Sequence, residues 1–122
     1  MIHVLVAVLV VLHGAVHLIM FGLPLIPRAK ADLAANGVRP SHSWLLGETP
    51  RLAFGLALAV TLAFLVAAGA YVWRASWWPG AMLAAAGGSL VLLMLHASKY
   101  WVVGYPISIA LAVAAWQAMR TA

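Results

Sequence analysis

Residues 2–21 read IHVLVAVLVVLHGAVHLIMF, an apolar run interrupted by three histidines and one glycine. About 20 consecutive apolar residues form a helix long enough to cross the hydrocarbon core of a bilayer. His13 and His17 are four residues apart, so a helix places both imidazoles on one face, one turn from each other. Ionisable groups at that depth are costly and usually face protein or water, which makes this pair the leading candidate for a functional site.

The composition of the whole chain is that of a membrane protein. Of 122 residues, 66% are hydrophobic, seven are Lys or Arg, and two are Asp or Glu. In soluble domains roughly a quarter of the residues are charged. The sequence therefore predicts an integral membrane protein whose direct partner is the lipid bilayer. No basic region precedes the first apolar run, which predicts that there is no cleavable signal.

Two further features of the composition exclude classes of function. The chain has no cysteine, which rules out disulfides and thiolate metal sites within it. Its Lys and Arg residues are scattered and border the apolar segments. This pattern is typical of contacts with lipid headgroups and predicts no nucleic-acid partner.

The sequence predicts an all-α fold, an integral membrane four-helix bundle with antiparallel, up-and-down topology, in one domain over 1–122. The four helices are expected at about 2–23, 50–73, 77–97 and 105–120. Loop 27–49 joins the first two helices, and we expect a short interfacial helix over 28–35 that ends at Asn36-Gly37.

Local signals refine the helix starts and the helix contacts. Thr49 is expected as the N-cap of the second helix with Pro50 at its first position, and Ser76 as the cap of the third. Small residues recur every four positions on the last three helices, which predicts close helix packing along these stripes. The stripes are Gly55, Ala59, Ala63 and Ala67; Ala81, Ala85 and Ser89; and Ala110, Ala114 and Ala118.

The distribution of Lys and Arg predicts the orientation in the cell membrane. Cytoplasmic loops carry an excess of these residues. The face with loops 27–49 and 98–104 has Arg28, Lys30, Arg39, Arg51 and Lys99, whereas the other face has Arg74 and Arg120. We therefore expect both loops in the cytoplasm and both termini outside.

This topology gathers the ionisable residues in one half of the bundle. At 1.5 Å per residue, His17 lies ~8 Å and His96 ~3 Å inside the cytoplasmic face, with His13 deeper. Glu48, Arg51, Lys99 and Tyr100 are expected around the mouth of this pocket. Buried imidazoles need hydrogen-bond partners or a ligand, and the hydroxyls within the helices are those of Thr61, Ser89 and Ser108.

Two kinds of cofactor fit these residues. A transition metal would be bound by His13, His17 and His96, with Glu48 completing the ligand set, since neutral imidazole is the commonest metal ligand. A haem would be held by one imidazole from the first helix and one from the third. His17 and His96 are the pair that matches better in depth.

Two kinds of function need no cofactor. In a membrane enzyme acting on a lipophilic substrate, His17 or Glu48 would be the general base, and Lys99 or Tyr100 the acid. In a binding or accessory protein, the histidines would line a pocket for a quinone, a sterol or a partner helix. We take as the leading prediction a small membrane protein that binds a cofactor or ligand, as a homo-oligomer or a subunit of a larger complex, and as the alternative the enzyme.

The motif in the first predicted helix also resembles a motif in other proteins. The motif His13-Gly14-x-x-His17-Leu18-x-x-Phe21 resembles the opening of a set of small uncharacterised bacterial membrane proteins with four predicted helices. Lys99 with the aromatic residue after it, and Gly104, are also similar. The resemblance covers most of the chain and implies the four-helix layout, but it implies no activity, since that group has no assigned function.

Overall fold

The computed structural model describes residues 1–98 and 101–122, which are mostly helical. These residues form five α-helices: α1 (Ile2–Gly22), α2 (Pro27–Ala35), α3 (Pro50–Val72), α4 (Trp78–Leu95) and α5 (Gly104–Thr121). A single 3-10 turn over Leu23–Leu25 follows α1. Two short strands, β1 (His42–Ser43) and β2 (Gly47–Glu48), lie between α2 and α3.

Three of the described helices are long and apolar enough to cross a membrane: Ile2–Leu25, which includes the 3-10 turn, Pro50–Val72 and Trp78–Leu95. The last helix, α5, has 18 residues, but it contains Tyr105, Pro106, Gln117 and Arg120. These residues lower its mean hydropathy. The structure therefore supports three candidate spans, and the fourth stays a prediction.

The ends of the helices follow the local sequence with one exception. The α3 helix begins at Pro50 with Thr49 as its N-cap residue, although the Thr49 hydroxyl makes no capping hydrogen bond. The prediction for α4 is wrong, because this helix starts at Trp78 with Trp77 at the N-cap and Pro79 in its first turn. Since proline provides no amide donor, it fits best at such a start, and Ser76 lies outside the helix.

The long helices pack in sequence order: α1 on α3, α3 on α4, and α4 on α5. The His3 Nδ1 atom lies 3.0 Å from the Tyr71 hydroxyl, so the start of α1 is next to the end of α3. Small side chains are buried on three of the long helices. On α3, α4 and α5 the following alanines are all fully buried: Ala53, Ala57, Ala67, Ala85 and Ala115.

The predicted small-residue stripe is wrong for α5, where Ala110 and Ala114 are exposed. It is only partly right for α3, where Gly55 and Ala59 are exposed but Ala63 packs against the core and Ala67 is fully buried. The buried face of α3 alternates three- and four-residue steps, including Ala53, Ala57, Val60, Phe64 and Ala67. A helix has 3.6 residues per turn, so a strict four-residue stripe drifts around the helix and leaves the contact face.

The loop before α3 contains a β-hairpin that the all-α prediction did not include. His42 pairs with Glu48 and Ser43 with Gly47 in an antiparallel register. The Ser43 hydroxyl accepts hydrogen bonds from the Leu45 and Leu46 amides, and Gly47 has a φ of 75° that favours glycine. A three-residue loop closed by such a glycine is a common hairpin connection.

Candidate functional site

The His13 and His17 side chains lie together on the inner side of α1. Their ring centroids are 4.9 Å apart in an edge-on arrangement. Phe64 of α3 packs edge-on against His13 at 5.3 Å. His17 is buried with 3% of its surface exposed, whereas His13 is partly accessible. The i, i+4 spacing thus produces the pair that it predicts, with one buried and one accessible imidazole.

Two serines from α4 and α5 complete a hydrogen-bonded set that we call the histidine–serine cluster: His13, His17, Ser89 and Ser108. His13 Nε2 is 3.0 Å from the Ser108 hydroxyl, and Ser108 is 2.8 Å from Ser89. Ser89 in turn is 2.7 Å from His17 Nε2. The cluster therefore joins α1 to α4 and α5 by a continuous chain of side-chain hydrogen bonds, and both serines are fully buried.

Gly14 and Thr61 set how closely α1 approaches α3. A Cβ atom on Gly14 would lie 3.1 Å from Cβ of Phe64, closer than nearly all Cβ contacts, so Phe64 would have to shift by a few tenths of an ångström to admit it. The Thr61 hydroxyl lies 2.8 Å from the carbonyl of Gly14 and 2.8 Å from that of Ala57 in its own helix. The sequence suggested Thr61 as a partner for the histidines, but it binds the backbone beside them instead.

A groove of about 480 Å³ runs along the outer surface between α1 and α5, next to the cluster. Its volume is within the range of small-molecule sites, roughly 300–1,000 Å³. Apart from His13 and His17, nearly all of its wall is apolar. The wall includes Leu12, Val16, Met20, Leu93, Trp101 and Ile107. The groove combines a large apolar surface with one small polar edge.

His96 lies at the end of α4, in separate surroundings. Its ring packs edge-on against Phe21 at 5.5 Å. Its Nδ1 is 3.2 Å from the Leu92 carbonyl and its Nε2 is 3.3 Å from the Thr49 hydroxyl. The His96 carbonyl accepts a hydrogen bond from Trp101 Nε1 at 2.9 Å. His96 therefore links the end of α4 to the start of α3 and to the segment that follows α4.

Three ionisable residues and one serine of loop 27–49 form a second group that we call the loop ion cluster: Lys30, Ser41, His42 and Glu48. Lys30 Nζ is 3.7 Å and His42 Nδ1 is 3.4 Å from the Glu48 carboxylate, and the ionisable groups are about half exposed. The Ser41 hydroxyl donates to the same carboxylate at 3.0 Å. Glu48 thus pairs with residues of its own loop. Arg51, which was predicted at the mouth of the same pocket, is exposed at the start of α3.

The cofactor hypotheses can be compared with these positions. Within residues 1–98 and 101–122, no three His, Cys, Asp or Glu side chains are grouped as a metal site requires. Both ring nitrogens of His17 and both of His96 have partners in the chain. The structure thus brings His13 to His17 but does not add His96 or Glu48 to them. Lys99 and Tyr100, the predicted acids, lie outside the described residues.

Two residues that shape the site were not among the predicted site residues. Phe64 packs on both imidazoles, and Trp101 borders the groove and binds the end of α4. Neither has a sequence signal beyond being aromatic, although Phe64 lies three residues from Thr61, on the same face of α3.

Comparisons with protein-family models, curated proteins and solved structures find no match to this chain.

Proposed function

We propose that this protein is a small integral membrane protein that binds a lipophilic molecule in the groove between α1 and α5. The observation that carries the proposal is the groove itself, which has a volume of about 480 Å³, a mostly apolar wall and an imidazole at its edge. In a bilayer, an apolar ligand would reach it sideways from the lipid. Ligand sites are commonly apolar clefts in which a few polar groups fix the orientation.

The proposal includes an antiparallel bundle in which α5 is the fourth span. Eighteen residues of helix extend ~27 Å at 1.5 Å per residue, close to the ~30 Å hydrocarbon core. The pairing of His3 with Tyr71 supports opposite directions for α1 and α3. We further propose that loops 27–49 and 98–104 face the cytoplasm, as the excess of Lys and Arg favours.

Blocking the groove tests the ligand hypothesis. Val16 borders the groove and is 55% exposed, and Val66 on α3 is also 55% exposed but does not border it. Each would be replaced by Trp, and lipophilic molecules that co-purify with the protein would be identified by extraction and mass spectrometry. We expect one compound in near-equimolar amount with the wild type and with Val66→Trp, and its loss in Val16→Trp. Equal recovery from both variants, or no compound in any sample, would contradict the proposal.

Labelling of single cysteines tests the topology, because the chain contains none of its own. Arg39→Cys would be placed in loop 27–49 and Ala75→Cys between α3 and α4. A membrane-impermeant maleimide should label Ala75→Cys on intact cells and Arg39→Cys only after lysis. The reverse pattern would invert the orientation, and labelling of both on intact cells would refute a membrane-spanning arrangement of α3.

We infer that the molecule acts as a binding or accessory protein, alone, as a homo-oligomer or with other membrane helices. The enzyme alternative relied on His17 or Glu48 as a base. His17 is buried with both nitrogens engaged, and Glu48 lies in the loop ion cluster. No observation on the described residues favours catalysis over binding.

A further inference from the structure

The hydrogen bonds of the histidine–serine cluster have a direction that the distances and proton counting define. His17 Nδ1 is 2.8 Å from the His13 carbonyl. A carbonyl oxygen only accepts, so Nδ1 of His17 carries the proton. In a neutral imidazole the other nitrogen is then an acceptor, and the Ser89 hydroxyl must donate to His17 Nε2.

The remaining protons follow in turn. The single proton of Ser89 points to His17, so the 2.8 Å contact between the serines requires Ser108 to donate to Ser89. Ser108 has no second proton, so its 3.0 Å contact with His13 requires His13 Nε2 to donate. His13, when neutral, therefore has its proton on Nε2 and a lone pair on Nδ1.

The other tautomer of His13, in which Nε2 accepts a hydrogen bond, leaves too few protons for the cluster. If His13 Nε2 were the acceptor, Ser108 would donate to it and Ser89 to His17, leaving two oxygens 2.8 Å apart with no proton between them. A doubly protonated His17 would reverse the chain, but that charge would be buried without a carboxylate, since the only acids, Asp32 and Glu48, lie in loop 27–49.

The Nδ1 atom of His13 is unpaired and not fully buried. Among the described residues His13 makes one side-chain hydrogen bond, through Nε2, and no buried side-chain nitrogen or oxygen there lacks a partner. His13 Nδ1 has no hydrogen-bond partner among the described residues, so this atom is not fully buried. His13 borders the groove between α1 and α5, and its Nε2 is directed to the buried Ser108. We infer that Nδ1 is the ring nitrogen that faces the groove, where it is an unpaired hydrogen-bond acceptor beside an apolar wall.

We propose that the ligand of this groove carries a hydroxyl group that donates a hydrogen bond to His13 Nδ1. This inference rests on the proposed function and narrows it to a chemical class: an apolar body with an alcohol or phenol head, in preference to an ether or ketone of the same shape. The preference arises because the donor positions of His13 and His17 are already used within the cluster, so only an acceptor is presented.

A pair of probes that differ only in this group tests the inference. 4-Octylphenol has a hydroxyl donor, whereas 4-octylanisole has a methoxy group in its place. Dissociation constants would be measured for the protein in phosphatidylcholine nanodiscs, from the titration of its histidine side-chain NMR signals. We expect the phenol to bind roughly three- to tenfold more tightly, which is the range of one net hydrogen bond.

Two variants separate the hydrogen bond from partitioning of the probes into lipid. In His13→Phe, which keeps an aromatic ring beside Phe64, the ratio of the two constants should fall towards the ratio of partitioning alone. In Ser108→Ala, His13 remains but loses the acceptor of its Nε2 proton. Both tautomers are then allowed, so the preference for the phenol should fall as well.

Nitrogen-15 NMR of the wild type provides a readout that needs neither a ligand nor a variant. We expect protonated Nε2 and unprotonated Nδ1 for His13, and the opposite for His17. Reversed tautomers in either residue, or equal binding of both probes, would overturn the hydroxyl inference and leave the groove hypothesis standing. Failure of both probes to bind, with wild-type tautomers as expected, would overturn the proposed function and this inference with it.

Discussion

The histidine–serine cluster and the loop ion cluster contain similar residue types in opposite surroundings. Three of the four members of the first are buried, and hydrogen bonds of 2.7–3.0 Å link all four. The ion pairs of the second are 3.4 Å and 3.7 Å long between groups that water reaches. A buried polar atom without a partner costs about 1–3 kcal/mol, whereas an exposed ion pair contributes about 0–1 kcal/mol. Because of this difference in burial, we expect the histidine–serine cluster to contribute more to the stability of the fold than the loop ion cluster.

Removing one histidine from each cluster should show the largest difference. His17→Ala deletes a buried ring and leaves Ser89 without its acceptor, so we expect a loss of about 3 kcal/mol in the free energy of unfolding. His42→Ala in the loop should change it by less than about 1 kcal/mol. Unfolding in mixed micelles, followed by circular dichroism, measures both. Equal losses would contradict the comparison.

Tight packing beside the histidine–serine cluster should give the next largest effect. Gly14→Ala forces Phe64 to move and should destabilise the protein by about 1–3 kcal/mol. Gly55→Ala is the matched control, because nothing lies within 4 Å of its added Cβ. The control should be neutral or stabilising by up to ~1 kcal/mol, since alanine favours the helix. A Gly14→Ala protein as stable as this control would mean that α1 and α3 are not in such close contact.

Coupling between His17 and Ser89 sharpens the comparison further. Because the two side chains share one buried hydrogen bond, His17→Ala and Ser89→Ala together should cost less than the sum of the single changes, by about 0.5–3 kcal/mol. The same unfolding assay on all four proteins measures this coupling. Strictly additive costs would show that the bond contributes nothing of its own.

The smallest effect is expected in the loop ion cluster. Glu48→Gln keeps the shape of the side chain and removes its charge, so the pairs with Lys30 and His42 are lost at a cost of about 0–1 kcal/mol. High salt should reduce the difference between this variant and the wild type, because it screens exposed charges. A cost that is large and independent of salt would place Glu48 in buried surroundings.

The sequence by itself determined the elements that depend on local composition and spacing. The apolar runs specify three helices that are long and apolar enough to span a membrane. Pro50 after Thr49 specifies the start of α3, and the four-residue spacing of His13 and His17 specifies that their rings meet. These features are local, because the period of a helix fixes which side chains share a face.

The tertiary structure alone decided what surrounds the histidines. Ser89 and Ser108 lie 72 and 95 residues further along the chain than their partners, His17 and His13. Regular spacing also favoured Gly55 and Ala59 on α3, and Ala110 and Ala114 on α5, as contact residues, but these four are exposed. His96 matched His17 in depth but is bound to Leu92 and Thr49 instead. The direction of the hydrogen bonds, and with it the free lone pair of His13, depends on four side chains meeting at once. No pattern along one helix encodes that meeting.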